Sequence, residues 1–149
     1  MTGICYNSPT CYANLGVDNW TSDNPGVPVN GVNAALLTSS YTPQVNVDAK
    51  WADISGSECS ATGYSAGGEA VTLSGTIATN IGDVLAGTSP SWVITAGTLA
   101  PRYVAYYINA TISTIQYPLI AYQDLGQSYS VTNTHTFTVR ENDGVVTLT

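Results

Sequence analysis

Three residues of this chain have the types and the order of a nucleophilic triad. Ser65 stands in Gly63-Tyr64-Ser65-Ala66-Gly67, the GxSxG spacing in which serine hydrolases present their nucleophile, and Asp124 and His135 follow in a workable chain order. The chemistry would be acyl transfer, with the imidazole accepting the serine proton. It depends on a sharp elbow, a strand before the serine and a helix directly behind it. Residues 67–78 read GGEAVTLSGTIA instead, two glycines and then the alternation of a strand with one wet face. A sheet with crossover helices does not fit so short and strand-rich a chain. The reading taken is therefore that Gly63, Gly67 and Gly68 allow positive φ in a tight turn anchored by Tyr64, and that the protein is not an enzyme.

The remaining reactive side chains form no second constellation. His135 is the sole histidine and shares an alternating face with Val131, Asn133, Phe137 and Val139, which predicts a hydrogen-bonded ring at the core margin. The carboxylates are dispersed, without the DxDxDG spacing of a calcium loop, and Asn142-Asp143-Gly144 reads as a hairpin turn. Nothing singles out a glycosidase pair. Cys5, Cys11 and Cys59 lack CxxC spacing; Cys5 and Cys11 could close a small loop, but free thiols are the reading preferred. No metal or cofactor is expected.

Composition narrows the partners. The chain has 149 residues, three of them basic against ten acidic, for a net charge of -7 and a pI near 4.1. Three scattered cations cannot displace counterions from phosphates, so direct nucleic-acid binding is not expected. Nor can they hold an anionic membrane surface, and no run reaches the roughly 20 apolar residues of a membrane-crossing helix. The start, MTGICYNSPT, lacks the pattern of a signal peptide, which reads as a soluble protein without an export signal. Charged residues are only 9%, where about 25% is usual, so Ser, Thr, Asn and Gly supply the polar surface.

The elements that must position these residues are short. Residues 1–31 show no periodicity and read as an irregular arm or extended loop; residues 32–149 read as one domain. Strands are predicted at 32–41, 67–78, 91–97, 102–108, 118–125, 131–139 and 144–149, with a weak run at 77–85. The one helix is predicted over 48–55, with Asp48 as N-cap and Trp51 and Ile54 on one face. Such spacing indicates an all-β fold: a single antiparallel β-sandwich, jelly-roll-like, with one short helix. Tyr103 and Tyr107 fall on one strand face and Tyr106 on the other. Trp92 reads as core, while Trp20, Trp51, Tyr106 and Tyr117 read as spare aromatics for a protein interface.

The stretches AALLTSSYTP, WADI, ECSATGYSAGG, the tryptophan at 92, APRYVAYY, PLIAYQDLG and the closing GVVTLT occur in an order that resembles a family of small virion structural proteins of tailed bacteriophages. Members of that family look like ALLTSSYTP, an acidic or aromatic helix, E..GTGYTAGG, a tryptophan, ARYAVVY, PLIGY.DFG and a final strand. The resemblance spans about residues 32–149. It falls on Leu37, Tyr41, Pro43, Glu58, Gly63, Tyr64, Gly67, Gly68, Trp92, Arg102, Tyr103, Tyr107, Pro118, Leu119, Tyr122 and Gly126. The position of Ser65 is commonly threonine there, which implies a turn residue, and Arg102 is expected to pair with Glu58 or another carboxylate. The resemblance implies a capsid decoration protein on the outside of the head, a homotrimer bridging subunits of the major capsid protein. The alternative is a tail or fibre component that binds a host receptor or glycan.

Overall fold

Residues 34–37, Ala-Ala-Leu-Leu, are buried on both sides of their strand, and that double burial organises the molecule. The structure is a computed structural model that describes residues 3–5, 31–44, 46–71, 88–112, 114–139 and 146–148. Among the described residues the strands pair antiparallel and one four-residue α-helix is present, so the chain is all-β. No helix among the described residues is long and apolar enough to cross a membrane.

The central sheet has five strands in the order β1 (Gly3–Cys5), β9 (Leu119–Asp124), β6 (Tyr103–Ile108), β2 (Val32–Leu37) and β3 (Glu69–Val71). Side chains alternate across it, as the pleat requires. Val32, Ala34 and Leu36 lie with Val104, Tyr106 and Ile108 on one face, and Ala35 and Leu37 lie with Ala105 and Tyr107 on the other. The register is regular between β2 and β6, but β9 carries a bulge opposite Tyr106 and Tyr107, where the partners step from Ala121 to Leu119 past Ile120.

The first face packs against smaller sheets in a sandwich-like arrangement. β4 (Ser91–Ile94), β11 (His135–Val139) and β12 (Val146–Leu148) form one of them, and β5 (Thr98–Leu99) pairs with β10 (Val131–Thr132) in another. Together they contribute Trp92, Ile94, Leu99, Val131, Phe137 and Val139 to the core. A short hairpin of β7 (Thr111–Ile112) and β8 (Ile115–Gln116) completes the strands.

Several boundaries differ from those predicted. The 32–41 strand stops at Leu37, where Thr38 opens a turn closed by the Tyr41 amide on its carbonyl at 3.2 Å. The helix, α1 (Trp51–Ile54), begins two residues later than Asp48 as N-cap would place it, with Lys50 in the cap position. Asp48 is buried, and one carboxylate oxygen accepts from the Tyr41 hydroxyl at 2.7 Å and the Gln44 amide at 3.0 Å. The capping role passes to Asp53, which accepts from the Ala49 and Lys50 amides. The 131–139 run is two strands, because Thr134 turns at φ 73° opposite the Gly97 turn between β4 and β5. Both layers of this pairing bend at the same place. Within the arm, residues 3–5 form β1 on the edge of β9, so the arm is not wholly irregular. The expected strand residues beyond Val71, the run at 77–85 and the 142–144 turn lie outside the described residues.

Candidate functional site

The GxSxG stretch builds a clasp between the two layers. At Glu58 the chain bridges to Leu37, and the Cys59 amide donates to the Leu36 carbonyl at 2.9 Å. It then crosses to the second layer, where Thr62 bridges Ala96, and returns to lie along β2 as β3. Two glycines allow the close approaches: a Cβ on Gly63 would sit 1.9 Å from the Val93 carbonyl oxygen, and one on Gly68 would sit 1.9 Å from that of Ala34. Both have positive φ, so a side chain would be strained as well as obstructed.

Glu58 locks this path. One carboxylate oxygen accepts from the Tyr64 hydroxyl at 2.9 Å and from the Gly67 amide at 2.6 Å. The Tyr64 hydroxyl accepts in turn from the Leu36 amide at 3.0 Å. Burial pushes the Tyr64 hydroxyl far above its ordinary pKa, and the neighbouring Glu58 charge adds to the rise, so it stays protonated and donating. On the far side, the Tyr107 hydroxyl donates to the Gly67 carbonyl at 2.7 Å, with the Asn33 amide beside it. The expected anchor, Tyr64, thus bonds both the turn and the central sheet.

Ser65 is exposed at the tip of this turn, and the chain behind it enters β3, a strand where the elbow needs a helix. Asp124 is engaged elsewhere: one oxygen pairs with Arg102 at 2.9 Å and the other accepts from the Gly126 amide at 2.7 Å. Arg102 therefore pairs with Asp124 rather than Glu58, and its guanidinium lies 5.3 Å over the Tyr103 ring. His135 is exposed, not at the core margin, with Nδ1 3.2 Å from the Asn133 carbonyl oxygen. It sits at the first position of β11, opposite Ile94 of β4. Among the described residues, no three His, Cys, Asp or Glu side chains cluster as metal ligands would.

Among the described residues, the second face of the central sheet carries Tyr41, Trp51, Tyr103, Tyr107, Tyr117 and Tyr122. Trp51 stacks on Tyr107 with ring centroids 4.8 Å apart, and Tyr117 meets the same ring edge-on at 6.1 Å. The Trp51 amide donates to the Tyr117 carbonyl and the Leu119 amide to the Ala49 carbonyl, which fixes α1 against the start of β9. Tyr41, Tyr103 and Tyr122 extend the aromatic row. Trp51, Tyr103 and Tyr117 are half-buried and keep surface toward solvent. Neither family models, curated proteins nor solved structures give a match to the chain.

Of the four aromatic residues expected at an interface, one is misplaced. Tyr106 is 5% exposed, a core residue between the sheets, so it is not available to a partner. Its strand alternates correctly, but both faces are covered. Trp20 lies outside the described residues, and Trp92 is fully buried against Tyr64 and Phe137. Sequence reasoning missed Val47, 70% exposed on the loop before α1, and Val93, 55% exposed on the outer face of β4. For Val93 the signal was present, since it alternates with the buried Trp92 and Ile94. Val47 sits in a turn, where no alternation marks a side.

Proposed function

We propose that this protein is a virion structural protein of a tailed bacteriophage: a decoration protein that binds the outside of the head, bridges major capsid subunits and associates as a homotrimer. The observation that carries the reading is that the residues on which the sequence resemblance falls lie at architectural positions. Glu58, Tyr64, Gly67 and Gly68 form the clasp, Trp92 fills the core, and Arg102 with Tyr103 caps the end of β6. In this reading Ser65 is a turn residue, and the chain carries no catalytic site or cofactor.

Trp51 and Tyr117, with Val47 on the adjoining loop, supply partly open apolar surface of the kind that anchors protein contacts. The acidic balance suits an outer surface that does not capture the genome. Purified protein added to empty capsids tests the reading: saturable, stoichiometric addition supports it. Copy number in purified virions separates the alternative, since hundreds per particle belong to the head and a dozen or fewer to a receptor- or glycan-binding tail component.

A further inference from the structure

We draw no further inference here: the strongest candidate, the partly open aromatic patch of Trp51, Tyr103 and Tyr117 on the second face of the central sheet, belongs to the site already described, and nothing in the structure shows what covers it.

Discussion

The Tyr64 hydroxyl sits 2.9 Å from a Glu58 carboxylate oxygen while accepting the Leu36 amide at 3.0 Å, so one phenol joins the turn to the central sheet. Removing either partner leaves half-buried groups unpaired. Glu58→Ala strands the Tyr64 hydroxyl and the Gly67 amide and is expected to cost about 2 to 3 kcal/mol in urea unfolding. Tyr64→Phe is expected to cost about 1 to 2 kcal/mol. Ser65→Ala, at the exposed tip between them, should stay within about 0.5 kcal/mol of the parent.

Four of the described glycines with positive φ form two groups by the space around them. Gly63→Ala and Gly68→Ala drive a methyl into a backbone carbonyl oxygen and should each cost more than about 3 kcal/mol, or prevent folding. Gly97→Ala and Gly126→Ala meet open space at similar φ and should cost about 1 to 2 kcal/mol, the left-handed penalty alone. Thermal unfolding of the four variants separates the groups.

Stability is expected to fall at alkaline pH. Burial pushes the Cys59 thiol from 9.0 up to about 12, and the Tyr64, Tyr107 and Tyr122 hydroxyls rise from 10.0, burial again being the largest cause. Each group keeps its proton in the folded state at a pH where the unfolded chain releases it. The folded state then binds more protons, so its advantage is complete below pH 9 and is lost from there upward, for Cys59 until about pH 12. Melting temperatures measured from pH 7 to pH 11 should drop beyond pH 9. Cys59→Ala should make that drop shallower.

Trp51 and Tyr106 should separate binding from folding. Tyr106→Ala removes a core ring and is expected to cost about 3 to 5 kcal/mol. Trp51→Ala should leave a folded protein, less stable by about 1 to 2 kcal/mol from the lost stacking on Tyr107 and the exposed ring face. Its addition to empty capsids should nevertheless weaken at least tenfold, as measured by sedimentation of capsids with bound protein.

What could be read from the sequence followed from how local the cause was. The strands β2, β6 and β9 announce themselves through short apolar runs, and the turn at 63–68 through its glycines, because backbone sterics act within a few residues. The helix start was misjudged because the Asp48 carboxylate is taken by the Tyr41 hydroxyl, a tertiary contact that competes with capping. The split at Thr134 follows from the bend at Gly97, a strand away. Arg102 meets Asp124 because β6 and β9 are paired in the sheet, and nothing near position 102 names that partner. Alternation placed Tyr106 on the correct face of its strand but cannot say what covers that face.

A sheet with two dry faces has lost the usual arbiter of alignment. When one side is wet, slipping a strand by one residue drops its oily side chains into water, and the error corrects itself. On β2 and β6 a slipped pairing would stay dry on both sides, so solvent exerts no veto. Discrimination then falls to volume, with Ala35 against Ala105 leaving room that no larger pair could share, and to the extra residue on β9, which acts as a counting notch. Misaligned forms of this sheet would differ from the native one in fit more than in wetting, and the clasp from Glu58 to Gly68 is the part that checks the count.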